Sequence, residues 1–212
     1  MKIRSLGEFE DAVNRETAWR KRELTTILFH VQESRDSRRP TALRAGVALL
    51  YAHWEGWIKK VSEFYIAFID GQRLQYDELN EAVFGLAIKR RIDPLVSSSA
   101  PKLHREFAFF IRNELGSRAT FGSGRTIHTE SNLSSTVLTR ILLSLGLEFK
   151  NYEPSSHLID HRLLHKRNRV AHGEYLDFSI REFEALHGEV VNLLKTFTTE
   201  VLNNAALGAY RA

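Results

Sequence analysis

The feature that most constrains the fold is an apolar stripe between residues 41 and 70. Its apolar side chains recur at three- and four-residue steps, which is the spacing of one face of an α-helix about eight turns long. A helix of this length with a wide aromatic face must lie at the centre of the core rather than at its edge. The stripe consists of Leu43, Val47, Leu50, Trp54, Ile58, Val61, Phe64 and Phe68.

The rest of the chain shows the same helical periodicity, with no alternating strand pattern and no internal repeat. Asp93-Pro94 is expected to stop one helix, and Ser131-Asn132 is expected to cap another. Ser179 and Glu182 have the spacing of a capping box, which predicts that the last helix begins there. The sequence therefore predicts one all-α domain of six or seven helices over residues 1–212. Besides the stripe, the predicted helices cover approximately 9–33, 76–92, 101–115, 132–146, 156–171 and 179–203.

Residues 116–132 interrupt this pattern, because they are rich in Gly, Ser and Thr. Such a stretch is expected to be too polar to pack well, although about 17 residues is long for a connection without structure. The composition therefore predicts a mobile loop at 116–132.

The composition excludes several classes of function. The chain has no Cys, so thiol catalysis, Cys-ligated zinc and structural disulfides are excluded. No run approaches the roughly 18 apolar residues that a membrane-spanning helix needs, and the charged N-terminal residues lack the apolar core of a signal peptide. We therefore expect a cytoplasmic protein that does not contact a membrane.

The charges are unevenly distributed along the chain. Lys and Arg number 30 against 26 Asp and Glu, a formal net charge of +4, and residues 174–212 are locally acidic. Clustered basic side chains would suit a polyanion such as RNA or DNA. Solvated helix faces are the alternative interpretation. The basic clusters lie at 15–22, 35–44, 89–91 and 162–169.

Residues 157–175 concentrate four histidines and four basic side chains in one predicted helix. One interpretation is metal binding, because His157, His161 and His165 share a helix face at four-residue steps. The cationic neighbours would repel a divalent ion, however, and Asp160 is the only nearby carboxylate in the sequence. We therefore predict no metal site and expect three solvated imidazoles.

The other interpretation concerns Arg167, Asn168 and His172. Asn168 and His172 share a helix face, whereas Arg167 and His172 diverge by about 140° on a regular helix. Arg167 and His172 meet only if the helix ends near His172, as Gly173 indicates, or if a second subunit completes the site. An Arg and a His at a helix end form a plausible phosphodiester site, because guanidinium binds phosphate and neutral imidazole accepts a proton. Ordinary surface neighbours are the alternative.

The string RNRVAHG at 167–173 resembles the Arg-x4-His motif of the HEPN superfamily, the higher eukaryotes and prokaryotes nucleotide-binding domains. Three further features support the resemblance: the string YAHWEGW at 51–57, the triplet Ser131-Asn132-Leu133 and the closing helix from Ser179. Together they resemble the MAE-type HEPN-like nucleases, also called RiboL-PSP-HEPN, over most of the chain.

The resemblance implies a helical-bundle endoribonuclease that cuts RNA as a homodimer, without metal or cofactor. It implies attack of a ribose 2′-OH on the adjacent phosphate, which leaves a 2′,3′-cyclic phosphate and a 5′-OH. His172 would be the acid/base group, Arg167 would stabilise the developing charge, and Asn168 would orient His172 or the phosphate. Motifs from two subunits would form one composite cleft. Such nucleases are often toxins of toxin–antitoxin or phage-defence systems, so an antitoxin protein is a candidate partner.

Glu55 is the expected additional polar residue from an earlier helix, by its place in the family-like string. A surface pair of Glu55 with Lys59 is the alternative, and His53 is an equally available polar group. The resemblance also allows a different function, because many HEPN proteins are non-catalytic modules that bind RNA, nucleotide or a partner protein. An antitoxin-like or structural subunit is a third alternative. The expected RNA-binding residues beside the motif are Arg162, Lys166 and Arg169.

Overall fold

The computed structural model describes residues 2–122 and 127–212. Within these ranges it contains seven α-helices and two isolated β-bridges but no β-strand, which confirms the predicted all-α fold. None of the described helices is both long and apolar enough to span a membrane. The helices are α1 (Leu6–Glu33), α2 (Arg38–Gly71), α3 (Glu81–Ser97), α4 (Pro101–Asn113), α5 (Ser135–Ser144), α6 (His165–Ala171) and α7 (Ile180–Leu207).

The helix α2 is the centre of the bundle, as its apolar stripe predicts. It packs against α1, α6 and α7, and every side chain of the predicted stripe is buried. Gly46 lies where α2 meets α7, because a Cβ at this position would be 2.8 Å from the ring of Phe183. The glycine therefore permits the close packing of the two helices. Trp54 and Trp57 are both buried, so they contribute to packing and are not available to stack on bases.

The predicted helix at 76–92 differs from the structure at both ends. A short 3₁₀ helix covers Tyr76–Glu78, and α3 begins separately after Asn80, whose side chain accepts a hydrogen bond from the Val83 N–H. The expectation that Asp93-Pro94 stops the helix is wrong, because α3 continues to Ser97 with Pro94 inside it. Proline removes one donor of the helix, and the Ser97 hydroxyl donates to the Asp93 carbonyl in the following turn.

The start of α5 also differs from the prediction. The capping residue is Ser134, whose side chain accepts from the Val137 N–H, and not Ser131-Asn132. Asp160 accepts hydrogen bonds from both the backbone N–H and the hydroxyl of Ser135, so a carboxylate from a later segment fixes this helix end. Glu130 and Ser131 instead adopt positive φ angles of 57° and 56° and form the turn before the helix.

The segment that carries the motif is not one regular helix. A 3₁₀ turn at Glu153–Ser155 precedes a π-helical segment at Leu158–Leu164, and α6 follows without a break. A π-helical segment turns the following residues away from their regular α-helical positions, and such segments occur often at functional sites. Apolar spacing alone does not distinguish this geometry from an α-helix.

The closing helix begins with the predicted capping box. Ser179 accepts a hydrogen bond from the Glu182 N–H, and the Glu182 carboxylate accepts one from the Ser179 N–H. This backbone hydrogen bond holds the pKa of Glu182 below its usual value. The helix ends at Leu207, slightly beyond the predicted end, because Gly208 adopts a left-handed φ of 67°.

The predicted mobile loop at 116–132 is described only in part, because residues 123–126 lie outside the described ranges. Its described flanks pack against the bundle, which the polar composition did not indicate. Ala119, Ile127 and Thr129 are buried, and the Ala119 N–H donates to the Leu74 carbonyl at 2.8 Å. The mobility of the loop stays a prediction.

Candidate active site

The helix α6 ends immediately before His172, as Gly173 predicts. Gly173 has a φ of +75°, a conformation that strains residues with a Cβ. The N–H of Gly173 donates to the Val170 carbonyl, and the N–H of Glu174 donates to the Arg169 carbonyl. These two bonds are those of a Schellman motif. The termination leaves His172 exposed at the helix end.

Arg167 is held in one orientation by the surrounding chain. Its Nη1 donates to the Asn168 Oδ1 at 2.8 Å, and its Nη2 donates to the Ser131 carbonyl at 2.6 Å. Its guanidinium carbon lies 4.0 Å from the centre of the Tyr51 ring, within the range of a cation–π interaction. The side chain remains 22% exposed. Arg167 is therefore oriented on three sides and still accessible to a ligand.

Glu55 projects from α2 toward the same guanidinium. Its Oε2 lies 3.8 Å from the Arg167 Nη2, and its Oε1 accepts a hydrogen bond of 2.6 Å from the Thr129 hydroxyl. Within residues 2–122 and 127–212, the structure shows no ion pair between Glu55 and Lys59. The structure thus brings Glu55, Arg167 and Asn168 together.

His53 lies on the other side of α2. It is only 3% exposed, its Nε2 is 2.8 Å from the Glu23 carboxylate, and its Nδ1 is 3.3 Å from Arg20. Burial, followed by the charge of Arg20, lowers its pKa below the usual value. Of the two candidate polar residues on α2, Glu55 is therefore the one that faces the motif.

Tyr51 belongs to this site, although the sequence did not single it out. Its hydroxyl accepts a hydrogen bond from the Leu133 N–H at 2.6 Å, and its ring lies under Arg167. Burial, reinforced by the negative charge of Glu55, raises the pKa of Tyr51 to about 12, so the phenol is neutral at pH 7. Its spacing of four residues from Glu55, on one face of α2, is the signal that could have identified it.

The turn that contains Ser131 supplies the rest of the site. Ser131 was expected to open a helix, but its carbonyl instead accepts from Arg167. An ion pair of 2.9 Å between Glu130 and Arg140 holds the turn against α5. Sequence reasoning could not identify a backbone carbonyl as a contact of Arg167, because every residue carries one.

His172 stands apart from this cluster. Among the described residues, its imidazole makes no hydrogen bond, ion pair or ring contact. Its backbone N–H donates to the Asn168 carbonyl, while the Arg167 side chain extends to Tyr51 and Ser131. Within the described part of one chain, the structure therefore joins Arg167 to Asn168 and Glu55, and the His172 side chain has no partner at the helix end.

The three expected RNA-binding side chains all have partners within the chain. Arg162 forms an ion pair of 2.6 Å with Glu189, and Arg169 forms one of 3.1 Å with Glu174. The Lys166 ammonium lies 4.4 Å from the centre of the Phe178 ring. The neighbouring carboxylates offset much of the positive charge that the sequence indicated for this face.

The histidines that precede the motif do not form a metal-binding arrangement with carboxylates. The rings of His157 and His161 lie 5.0 Å apart, and Asp160 is bonded to Ser135. Across the part of the chain that the structure describes, no group of three or more His, Asp or Glu side chains is placed to hold a metal ion.

An all-α bundle with an Arg-x4-His segment at the end of a short helix is typical of HEPN-like domains. Here a carboxylate from the central helix lies beside that segment. The sequence matches the MAE_28990-like HEPN family over residues 9–210, which is nearly the whole chain, and the chain belongs to this family. No curated protein and no solved structure matches the chain significantly.

Proposed function

We propose that this protein is a metal-independent endoribonuclease with Arg167, Asn168, His172 and Glu55 in its active site. The observation that carries the proposal is the arrangement at the end of α6. A guanidinium held by Asn168, Ser131 and Glu55 lies beside a helix end where His172 is exposed. A fixed cation and an accessible imidazole are the two groups that phosphodiester cleavage needs.

In the proposed reaction, the 2′-OH of a ribose attacks the phosphorus of the adjacent phosphodiester. One His172 imidazole accepts the proton of that hydroxyl, and a new O2′–P bond forms. The P–O5′ bond breaks, and a protonated imidazole gives its proton to the leaving O5′. The products are a 2′,3′-cyclic phosphate and a 5′-OH, so neither water nor an oxidant is consumed.

Arg167 would stabilise the charge that develops on the non-bridging oxygens. Its orientation by Asn168 and Ser131 is set before substrate binds, which lowers the reorganisation needed in the transition state. Because the Asn168 Oδ1 already accepts from Arg167, its amide Nδ2 is the group available to donate to a phosphate or to His172. Glu55 and Tyr51 would act as positioning residues, since both contact Arg167.

The proposed enzyme is a homodimer in which two motifs share one cleft. Arg167 and His172 are not in contact within one chain, and the short helix places His172 at its exposed end. A second subunit would supply the second imidazole that the proton transfers require. The family resemblance adds a biological setting to this proposal: a cytoplasmic toxin of a toxin–antitoxin or phage-defence system, controlled by an antitoxin protein.

A non-catalytic HEPN module that binds RNA, nucleotide or a partner protein is the second candidate. The observation that favours it, in the form that binds a partner protein, is that Arg167, Arg162 and Arg169 each already face a carboxylate, which leaves less positive charge for an RNA substrate at this face. In that case the face around α6 would be a recognition surface, and His172 would have no chemical role.

The decisive experiment incubates the wild-type and His172→Ala proteins with total RNA in EDTA and analyses the ends of the fragments. His165→Ala is the matched control, because it removes another exposed imidazole of the same helix. We expect fragments with 2′,3′-cyclic phosphate from the wild type and the control but not from His172→Ala. Fragments from all three proteins would remove His172 from the chemistry, and RNA binding without cleavage would support the non-catalytic module.

A further inference from the structure

A second basic surface lies on α3 and α4, outside the candidate active site. A groove of about 860 Å³ there is lined by four cationic and two anionic side chains. We define the α4 surface as the exposed residues of this groove that carry the argument: Arg91, Lys102, Arg105, Phe109 and Arg112.

The carboxylates of the groove neutralise only part of this charge. Glu114 lies 3.4 Å from Arg91, and Glu106 lies 3.9 Å from Lys102. Arg105 and Arg112 have no carboxylate partner among the residues that the structure describes, and both are exposed. This contrasts with Arg162 and Arg169 beside the motif, which are ion-paired.

An aromatic ring lies in the same row as these two guanidinium groups. Phe109 follows Arg105 by four residues and precedes Arg112 by three, so the three side chains share one face of α4. Its ring is 58% exposed, although Phe110 beside it is fully buried against the core. A row that alternates cation, aromatic ring and cation matches a single-stranded nucleic acid, in which phosphates bind cations and bases stack on rings.

The segment that follows α4 in the sequence also contributes residues to the candidate active site. After α4, Ala119 is hydrogen-bonded to Leu74. Further along the same connection, Thr129 contacts Glu55 and Ser131 contacts Arg167. The segment that follows the α4 surface therefore also builds one wall of the Arg167 cluster.

We propose that the α4 surface binds single-stranded RNA, with Arg105 and Arg112 on the phosphates and Phe109 stacked on a base. The proposal rests on the proposed function, because it assigns to this surface the substrate strand beyond the cleavage position. Unlike Arg162 and Arg169, which are ion-paired, Arg105 and Arg112 would offer free positive charge to the strand.

The test measures binding of a fluorescent single-stranded oligoribonucleotide at several salt concentrations, in a His172→Ala background that prevents cleavage. The probe variant is Arg105→Gln/Arg112→Gln, and Arg4→Gln/Arg181→Gln is the control, because it removes two exposed Arg side chains that lie outside the basic clusters of the sequence. We expect the probe variant to bind about tenfold more weakly and to lose about 1.4 from the slope of log K against log salt. The control should keep both values.

Phe109→Ala separates stacking from charge. It should weaken binding of the single strand about tenfold without changing the salt slope, because a base loses its stacking partner while the phosphate contacts remain. Because the ring is exposed, its removal should leave the fold intact, and an unchanged thermal unfolding curve checks this directly. The assignment is overturned if the probe variant, the control and the His172→Ala parent protein bind the oligoribonucleotide with the same affinity and the same salt slope. Binding of anionic phospholipid vesicles with no binding of RNA would also overturn it.

The outcomes for the α4 surface and for the active site are distinguishable. If the wild type never cleaves RNA but the Arg105/Arg112 variant loses salt-dependent binding, the α4 assignment holds and the proposed chemistry fails. If the wild type cleaves RNA, and Arg105→Gln/Arg112→Gln made with His172 intact cleaves equally well and binds equally well in the His172→Ala background, the chemistry holds and the α4 assignment fails.

Discussion

Two arginine clusters lie on opposite sides of the central helix, and they contain similar groups but connect different elements. On one side, Arg167 contacts Tyr51 and lies near Glu55. On the other side, Arg20 lies against His53 and Trp57 and is bonded to Glu16. Each cluster combines a guanidinium, a carboxylate and an aromatic ring.

The difference lies in what each cluster connects. Arg20 and Glu16 belong to one helix, and Arg20 lies against Gly56 of α2, where a Cβ would be 3.1 Å from its Nη1. That cluster joins α1 to α2. Arg167 instead joins α6, α2 and the turn at Ser131, next to the exposed His172. The two clusters have the same kinds of group, so the exposed imidazole beside Arg167 is what distinguishes the proposed active site from a contact that only joins two helices.

The largest expected effect is that of Arg167→Lys on cleavage. A lysine ammonium cannot donate to Asn168 and Ser131 in the planar geometry of guanidinium. We expect the single-turnover rate on an RNA that the wild type cleaves to fall about 100- to 1000-fold, as for loss of one oxyanion donor. Arg20→Lys is the counterpart in the other cluster and should leave the rate unchanged. Equal losses in both variants would erase the functional distinction between the clusters.

Tyr51→Phe should lower the stability of the fold and leave the ring contact with Arg167 in place. The ring remains under the guanidinium, but the buried Leu133 N–H loses its acceptor. We expect the free energy of unfolding to fall by about 1–3 kcal/mol, measured by urea denaturation. Tyr175→Phe changes a tyrosine that is 74% exposed and serves as the control. No change for Tyr51→Phe would show that water replaces the lost acceptor.

Glu55→Gln should have a smaller effect on cleavage than Arg167→Lys. The amide oxygen can still accept from Thr129, but the negative charge that faces Arg167 is lost. We expect the cleavage rate to fall about tenfold, through misorientation of the guanidinium. Glu23→Gln, near His53, should leave the rate unchanged. A loss as large as that of Arg167→Lys would instead assign Glu55 to proton transfer.

The smallest expected effect is the pH dependence of stability from the other cluster. Burial and Arg20 lower the pKa of His53 in the folded state, so the unfolded chain takes up a proton at a higher pH than the folded chain. The free energy of unfolding should therefore decrease as the pH falls below about 6.5 toward the folded-state pKa. Urea denaturation at pH 7.5 and 5.5 measures this decrease.

His53→Gln should reduce that pH dependence, because the substituted side chain does not titrate. His104→Gln changes an exposed histidine on α4 and controls for the loss of any imidazole. His187 should account for part of the pH dependence that remains in His53→Gln. Burial also lowers the pKa of His187, although its hydrogen bond with the Leu24 carbonyl has the opposite effect. If His53→Gln keeps the full change in the free energy of unfolding between pH 7.5 and 5.5, His53 does not control this pH dependence.

Local signals predicted much of the architecture and part of the site. The stripe on α2, the capping box at Ser179 and the end of α6 at Gly173 are all present in the structure. Each depends on side chains within a few residues of one another, so spacing is enough to identify it. The same reasoning failed at Pro94, which α3 accommodates and continues past to Ser97, and at the start of α5, where Ser135 is bonded to Asp160, 25 residues away.

By itself, then, the sequence determined the helical class, the central helix and the helix end that exposes His172. Only the tertiary structure decided that Arg167 meets Ser131, 36 residues away, and that Tyr51 meets Leu133, 82 residues away. It also decided that Arg162 is paired with Glu189, 27 residues away, whereas Arg105 and Arg112 have no carboxylate partner among the described residues. The physical reason is that such contacts form between segments distant in the chain, whose mutual orientation is set by the packing of the whole core.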